Sequence, residues 1–516
     1  MVNAAPAATA ATVRPRADAL VVALARLVAR IFFREIEVVG AARLPPAGPL
    51  LIVANHQNGM IDPLLIAATL PAGGSGGGPG GRRGPGGGDR GGGGRMPRFL
   101  ATHLAWRNLA LRPWLQLASV IPIYRPKDVG AAADPGQNAA AFARCHEQLA
   151  RGGAVALFPE GVSHSEPTLV PLKTGAARIV LEAVRRFPDL APRIVPIGLT
   201  FEARGTFRSR ALLEVGEAID PGPEIALDRR EAEQAAGGGG PGQSGAAAAA
   251  AAAASMAAVR ALTARIDAGL KAVTLNYGTW EEARRIGRAA ELFSPGAVGR
   301  GPGLPGEPPL AERFLLHRAF IEGYAELCRR DPRLTAAAAA AIDRYDRMLT
   351  ALGLRDDQLA ASYPAAPAAL WVGRTALRLL IYLPLALVGI VLNWVPYRVV
   401  GEIAARAART ADVPASFKVF GGMVLFPLAW LLEAALAAWL APPQAQARAL
   451  AALLTFIAGP ATGWVALRFD DRRGQLWREA RAYLLLRSRR AIAAELRARR
   501  EAAAREVAAL VDLYQS

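Results

Sequence analysis

Cysteine is almost absent from this chain, which has two in 516 residues, Cys145 and Cys328. Two cysteines cannot form the disulfide framework of a small secreted protein. No C-x-x-C or H-E-x-x-H pattern occurs, so we expect no bound metal. Cys145 and His146 are adjacent, but neighbouring residues on a helix point in different directions, which disfavours a reactive thiol–imidazole pair.

Acidic residues are in the minority. The 61 lysines and arginines outnumber the 43 aspartates and glutamates, which gives a formal net charge of +18. This excess favours anionic partners such as phospholipid headgroups, phosphorylated metabolites or coenzyme A. The chain has no recognisable nucleic-acid-binding module, and many arginines lie beside apolar stretches. We therefore expect an anionic phospholipid membrane as a partner and no nucleic acid.

The N-terminus lacks a secretory signal pattern. Its apolar stretch at 20–33 contains Arg26 and Arg30 and is not followed by the small residues of a cleavage site. The two arginines fall on one side of a helix whose other sides are apolar. This pattern fits a helix on a membrane surface and a helix packed on its own domain equally well; residues 1–35 are assigned to an amphipathic, membrane-associated helix.

Two segments contain too few hydrophobic residues to form a core. Residues 72–94 are almost entirely glycine with proline and arginine, which predicts a disordered insertion. Residues 236–255 contain a glycine run and then an alanine run, which predicts a linker leading into a helix. These segments define a domain at 36–235 and a helical region at 256–365.

Short apolar runs alternate with helical patterns within 36–235. The predicted strands are 50–54, 120–124, 154–158 and 194–199, and the predicted helices are 139–151 and 173–187. This alternation predicts an α/β domain with a mixed sheet flanked by helices, followed by the helical region and by C-terminal transmembrane helices.

Three apolar stretches lie within residues 376–470, at 379–397, 419–440 and 449–467, and each approaches the ~20 residues needed to cross a bilayer. The loop before the second stretch and the predicted basic helical tail at 471–516 are rich in arginine. By the positive-inside rule both belong in the cytoplasm, so the last two stretches are predicted to form a transmembrane hairpin.

The first stretch contains Pro384, Asn393 and Pro396. It is predicted to be re-entrant or interfacial, because the domain at 36–235 is expected on the cytoplasmic face of the membrane as well. The alternative for all three stretches is a buried helical hairpin in a soluble domain. That alternative is less favoured, because such long uncharged runs are rare in soluble proteins.

A histidine and an aspartate follow the strand 50–54, in the segment Asn55-His56-Gln57-Asn58-Gly59-Met60-Ile61-Asp62-Pro63. Imidazole can accept an alcohol proton near neutral pH, and a carboxylate on its other nitrogen fixes the tautomer. On a straight helix His56 and Asp62 would lie ~240° apart, but the turn signal Asn58-Gly59 could bring them together. The alternative is that Asp62 caps a helix that starts at Pro63.

Polar residues follow two further predicted strands. Arg125, after 120–124, suits a phosphate because its guanidinium can bond it bidentately. The block after 154–158 reads Phe-Pro-Glu-Gly-Val-Ser-His. Lys173 lies where the next helix opens, and backbone N–H groups at a helix start favour an anion. A fourth block, Val195-Pro196-Ile197-Gly198, has no reactive group and would form a wall.

In this order, the four blocks resemble the glycerolipid acyltransferase (PlsC-like) superfamily over roughly residues 45–220. The resemblance implies acyl transfer from acyl-CoA or acyl carrier protein, as co-substrates without another cofactor, to a phosphorylated glycerol-type acceptor. It makes 36–235 an acyltransferase domain with His56 and Asp62 as catalytic residues. The residues predicted to bind substrate are Asn55, Arg125, Glu160, Gly161, Ser163, His164 and Lys173. Charge on the reacting carbonyl oxygen is expected to be met by backbone N–H groups of the motif loops.

Two features depart from the commoner family pattern. Five residues separate His56 from Asp62, where four are usual, and the third block lacks the arginine of Glu-Gly-Thr-Arg. Both resemble the subgroup of glycerol-3-phosphate and dihydroxyacetone-phosphate acyltransferases, and Ser163, His164 or Lys173 would have to replace the missing arginine. The expected function is acylation of one of these acceptors in phospholipid biosynthesis. The alternatives are a lysophosphatidate acyltransferase and a non-catalytic lipid-binding membrane protein.

Overall fold

The structure, a computed structural model, describes residues 15–70, 96–107, 111–124, 135–204, 206–237, 244–293, 309–360, 365–407 and 414–515. The insertion predicted at 72–94 and the predicted phosphate ligand Arg125 lie outside these residues. The chain divides into two compact units. The first comprises residues 1–274 and 409–420, and the second comprises residues 275–408 and 421–516.

The first unit contains a seven-stranded mixed sheet. Its strands are β1 Phe33–Val39, β2 Leu50–Ala54, β3 Arg98–Thr102, β4 Ile121–Ile123, β5 Ala154–Leu157, β6 Arg193–Phe201 and β7 Ser209–Val215. They follow the order β1-β7-β6-β2-β5-β3-β4, and neighbouring pairs are parallel except for β6 and β7. Because β2 lies between β5 and β6 and is parallel to both, the segments after these three strands meet at one edge of the sheet.

Helices cover this sheet. They are α1 Pro15–Phe32, α2 Ile61–Thr69, α3 Arg112–Leu117, α4 Pro135–Ala150, α5 Gly175–Arg186, α6 Gly222–Gly237 and α7 Ser244–Ala272. One buried apolar cluster contains Leu51 and Val155 of the sheet together with Leu149 of α4, Val180 of α5 and Leu262 of α7. The predicted fold class, a mixed sheet flanked by helices, is confirmed.

Helix α1 packs on this unit. Asp18 accepts two hydrogen bonds from the buried guanidinium of Arg98, at 2.8 and 2.9 Å, and Arg26 Nε donates to the carbonyl of Ala68 in α2 at 3.1 Å. The opposite side of the helix leaves Leu20 and Leu27 more than half exposed. The helix therefore packs on its own domain through one side and presents leucines on the other, so the predicted membrane contact would use Leu20 and Leu27.

The second unit is helical. Its helices are α8 Trp280–Phe293, α9 Leu310–Arg330, α10 Pro332–Leu352, α11 Asp356–Ala360, α12 Ala365–Ala407, α13 Pro414–Leu440 from residue 421 onward, α14 Ala445–Ser488 and α15 Arg490–Gln515. Leu292, Tyr345 and Leu496 lie in one buried cluster. Arg500 of α15 also donates to both carboxylate oxygens of Asp356 at 2.9 Å. The basic tail thus packs on helices α8, α10 and α11.

Three helices of the structure are long and apolar enough to cross a membrane, over Leu370–Arg406, Ser416–Leu440 and Ala445–Ser488. The stretch predicted as re-entrant or interfacial, 379–397, lies inside the continuous helix α12, which runs through both of its prolines. The helix is therefore not broken there, and its placement in the membrane stays a prediction.

Asn393 is a polar residue in the apolar helix α12, and its side-chain hydrogen bonds explain its presence there. Its Nδ2 donates to the carbonyls of Gly389 and Gly459 at 2.9 and 3.1 Å, and its Oδ1 accepts from Trp430 Nε1 at 3.0 Å. At Gly389 a Cβ atom would lie 2.1 Å from the carbonyl oxygen of Thr462, so only glycine allows α12 and α14 to approach this closely. Asn393 thereby links α12, α13 and α14.

Candidate active site

Asn55 fixes the start of the loop after β2. Its Nδ2 donates to the carbonyl of Leu199 in β6 at 3.0 Å, and its Oδ1 accepts from the Leu199 N–H at 2.7 Å. The side chain continues the strand pairing beyond Ala54 and is buried. Because both ends of the amide bond to Leu199, the geometry favours a positioning role for Asn55 over the substrate contact expected from the sequence.

The loop after Asn55 brings His56 and Asp62 together. His56 Nδ1 lies 2.8 Å from Asp62 Oδ2, which also accepts the backbone N–H groups of Gln57 and Asn58 at 2.8 Å each. Gly59 turns the chain with a φ of +52°, so the two residues never share one helix. Asp62 lies inside α2, which begins at Ile61, and it bonds backward to the loop instead of capping a helix at Pro63.

The two side chains differ in access. The Asp62 carboxylate is fully buried, whereas the His56 side chain is 20% exposed and stacks on the Phe158 ring with centroids 4.2 Å apart. With its proton on Nδ1, the imidazole donates a hydrogen bond to Asp62 and keeps the lone pair of Nε2. The arrangement can therefore remove a proton from a group that approaches Nε2.

Glu160 holds three parts of the site together. Its Oε1 accepts the His56 backbone N–H at 2.7 Å, and its Oε2 accepts the Val170 N–H at 3.1 Å and a hydrogen bond from His164 Nε2. His164 Nδ1 accepts from the Glu166 N–H at 3.1 Å, which assigns the His164 proton to Nε2. The Glu160 carboxylate is buried, and both of its oxygens accept hydrogen bonds from these donors. Glu160 and His164 therefore position the loops, although the sequence suggested that they bind substrate.

The remaining residues of the third block lie around the same loop. Ser163 Oγ accepts the Gly59 N–H at 3.1 Å, which leaves its own proton to donate. Gly161 has a φ of +72°, and a Cβ there would lie 3.4 Å from Lys173 Cγ. The Lys173 backbone N–H donates to the carbonyl of Pro159 at 2.7 Å, and Lys173 is exposed. The backbone of Lys173 is thus fixed beside the block, and its side chain is exposed to solvent.

Tyr124 is the last described residue before Arg125, and Asn138 holds its backbone. The Tyr124 N–H donates to Asn138 Oδ1 at 3.0 Å, and Asn138 Nδ2 donates to the Tyr124 carbonyl at 2.7 Å. Since β4 is parallel to β3, and β3 to β5, Tyr124 follows its strand at the same edge of the sheet as the other blocks.

Every backbone N–H from His56 to Ile61 already donates to a protein acceptor. Those of Gly59 and Met60 donate to side-chain hydroxyls, that of Ile61 to the Asn58 carbonyl, and the first three to carboxylates. The N–H groups of this loop are therefore already bonded within the protein. The expectation that backbone N–H groups of the motif loops meet the charge of a reacting carbonyl oxygen stays a prediction, and it falls on the other loops or on side chains.

The structure adds two residues that the sequence patterns do not indicate. Ser416, near the start of α13, accepts the Met60 N–H at 2.9 Å from a position 356 residues away, and no local motif marks such a contact. Arg204 follows β6, and its carbonyl accepts from Asn58 Nδ2 at 2.9 Å. It lies just beyond the Val-Pro block, which the sequence analysis treats as a wall.

Cys145 is buried within the core, and burial raises the pKa of its thiol to about 12, against the opposing charge of Arg144. Burial and the charge of Arg186 lower the pKa of His146. The thiol is thus protonated at neutral pH. Within the described ranges, no three His, Cys, Asp or Glu side chains are grouped as metal ligands.

Comparisons with known proteins agree with this geometry. Residues 35–200 match the acyltransferase family model, and residues 306–515 match the model of the glycerol-3-phosphate acyltransferase 2 C-terminal domain. Glycerol-3-phosphate O-acyltransferase 2 of Saccharomyces cerevisiae is 30% identical over 222 residues, which are 43% of this chain and 26% of that protein. Glycerol-3-phosphate O-acyltransferase 1 of the same yeast is 27% identical over 302 residues, 56% of this chain and 36% of that protein.

The aligned part of the chain thus spans only about a quarter to a third of the length of these curated relatives. Among solved structures, the 1-acyl-sn-glycerophosphate acyltransferase PlsC of Thermotoga maritima is 15% identical, with a TM-score of 0.28 over 49% of this chain and 84% of that one. The chain thus contains a match to the acyltransferase family over residues 35–200, followed by a match to a C-terminal region of the glycerol-3-phosphate acyltransferase 2 type over residues 306–515.

Proposed function

We propose that the chain transfers a fatty acyl group from acyl-CoA or acyl carrier protein to the hydroxyl of glycerol 3-phosphate or dihydroxyacetone phosphate. The observation that carries this proposal is the contact between Nδ1 of the partly exposed His56 and the buried Asp62 carboxylate, which leaves the lone pair of Nε2 to act as the base. The relatives named as glycerol-3-phosphate acyltransferases support the acceptor. The reaction would occur on the cytoplasmic face of a membrane that the three apolar helices contact.

The geometry supports direct transfer. His56 Nε2 takes the proton of the acceptor hydroxyl while that oxygen attacks the carbonyl carbon of the thioester. The C–S bond then breaks, and the sulfur leaves as a thiol after His56 returns the proton. Asp62 stabilises the imidazolium between these steps, as the carboxylate does in a catalytic triad. No covalent acyl-enzyme is needed, so the buried Cys145 takes no part.

Positive charge for the phosphate would come from several side chains around the loop. Arg125 is one that the family resemblance assigns to this task, and the exposed Lys173 lies beside Gly161. His164 is unsuited to it, because both of its ring nitrogens are already bonded. Ser163 can donate its hydroxyl proton to a phosphate or to the reacting carbonyl oxygen.

An assay with labelled acyl-CoA tests the proposal. The full chain in membranes is offered glycerol 3-phosphate, dihydroxyacetone phosphate and lysophosphatidate separately. We expect product with one or both of the first two. Product only with lysophosphatidate would assign the chain to the next step of the pathway, and no product with any acceptor or with acyl carrier protein as donor would favour a lipid-binding protein.

Glu160→Gln is expected to lower kcat about 10- to 100-fold and to change the KM for glycerol 3-phosphate less than threefold. The amide has one acceptor oxygen where the carboxylate has two, so either the His56 N–H or the donors of Val170 and His164 lose their acceptor, and the loops that hold His56 shift. Initial rates at varied acceptor concentration separate kcat from KM. Glu166→Gln, which changes an exposed carboxylate of the same loop, serves as the matched control. A rise in KM with kcat unchanged would show that Glu160 contacts the acceptor instead.

A further inference from the structure

Arg204 lies at the edge of the sheet where the motif loops meet. It follows β6, the strand next to β2, and its backbone carbonyl is bonded by Asn58 Nδ2 at 2.9 Å. Asn58 also donates its N–H to Asp62 Oδ2 at 2.8 Å. A single residue of the His56 loop therefore joins Arg204 to the carboxylate that orients His56.

The side chain of Arg204 lies in the same environment. Partial burial lowers the pKa of its guanidinium, and the nearby charge of Asp62 opposes that change. Asp62 Oδ1 is buried and, among the described residues, makes no hydrogen bond. A half-buried cation close to a buried carboxylate is held out of bulk water, where its interaction with an anionic ligand is strongest.

Two further arginines follow Arg204 in the chain. In the turn, Arg208 Nη1 donates to the carbonyls of Arg30 and Phe33 at 3.0 Å, and in β7 Arg210 bonds to Glu202 at 3.0 Å. Both hold β7 and its neighbours in place. Arg204 precedes them, and its backbone carbonyl is bonded by the His56 loop.

The acceptor needs such a cation. Its phosphate carries about two negative charges and must approach Nε2 of His56, whose immediate neighbours include the carboxylates of Asp62 and Glu160. The arginine of the commoner third block is missing here, and His164 in that block bonds to Glu160. A further cation beside Arg125 and Lys173 would offset the repulsion between these two carboxylates and the phosphate.

We propose that Arg204 binds the phosphate of the acceptor and takes the place of the arginine missing from the third block. The inference rests on the proposed function and adds a specificity-determining residue to it. A phosphate monoester is also part of coenzyme A, so the test has to separate the acceptor from the donor.

Arg204→Ala is compared with Arg204→Lys and with wild-type protein, each as the full chain in membranes, at varied glycerol 3-phosphate and at varied acyl-CoA. We expect the KM for glycerol 3-phosphate to rise about 10- to 100-fold in Arg204→Ala, with kcat and the KM for acyl-CoA changed less than threefold. Arg204→Lys keeps the charge. The factor by which its KM for glycerol 3-phosphate rises should therefore be no larger than the square root of the factor in Arg204→Ala. Arg229→Ala removes an equal charge from α6 as the matched control.

The outcomes separate the two proposals. A wild-type chain that acylates none of the phosphorylated acceptors contradicts the proposed function itself. If the wild type is active, an unchanged acceptor KM in Arg204→Ala overturns the inference, as does a rise confined to the KM for acyl-CoA. A fall of kcat alone would also overturn it, because Arg204 would then act on the reacting carbonyl oxygen. If Arg204→Ala does not fold, Arg204→Gln replaces it with the same expectation.

Discussion

Replacing His56 with alanine is expected to lower kcat for acylation of glycerol 3-phosphate about 10²- to 10⁴-fold, because the general base is lost. The imidazole is the partly exposed group of the site that a buried carboxylate orients. Rates are measured at saturating acyl-CoA and acceptor, so that weaker binding does not add to the loss.

The control for His56→Ala is His146→Gln, which removes an imidazole from α4 outside the site. Its kcat should stay within threefold of the wild type. The thermal midpoint of His56→Ala is measured as well, because the ring stacks on Phe158. Wild-type turnover in a folded His56→Ala protein would contradict the proposed mechanism.

Asp62→Asn is expected to lower kcat about 10²- to 10⁴-fold, with the KM for glycerol 3-phosphate changed less than threefold. The asparagine side chain is neutral and does not stabilise the imidazolium that forms when His56 takes the proton. It can still accept the N–H groups of Gln57 and Asn58, so the loop should stay folded.

A double mutant distinguishes this role from a merely structural one. If Asp62 acts through His56, then adding Asp62→Asn to His56→Ala should cost less than a further threefold in kcat. Losses that multiply in the double mutant would show that Asp62 acts independently of His56. Asp62→Ala should additionally lower stability, since it leaves the Gln57 and Asn58 N–H groups without an acceptor, at about 1–3 kcal/mol each.

The strands that carry the motifs are predicted by their composition. β2 and β5 are uninterrupted runs of apolar residues, which is typical of strands buried on both faces. Composition does not predict β7 in this way, because Arg210 and Glu214 interrupt its apolar run. Every residue of the strand is nevertheless buried. Arg210 is tolerated there since Glu202, a residue of the preceding turn, pairs with it at 3.0 Å. That contact depends on the pairing of β6 with β7.

The roles of the polar residues are harder to predict than their presence. The sequence places Asn55, Glu160 and His164 at the site, and the geometry turns all three toward other parts of the protein. Whether a side chain contacts substrate or the protein backbone depends on its rotamer and on which other loop packs against it. These are properties of the assembled sheet edge and not of the motif.

By itself, the sequence determined the α/β class, the order of the four motif blocks, the apolar C-terminal stretches and the family resemblance, because these depend on local composition and spacing. Only the tertiary structure decided that a turn at Gly59 brings His56 onto Asp62, and that the loop N–H groups are all occupied. It also brought in Ser416 and Arg204, which reach the loop from distant parts of the chain. The physical reason is that hydrogen bonds form between groups that are close in space, and the folding of β2, β5 and β6 into one sheet sets those distances.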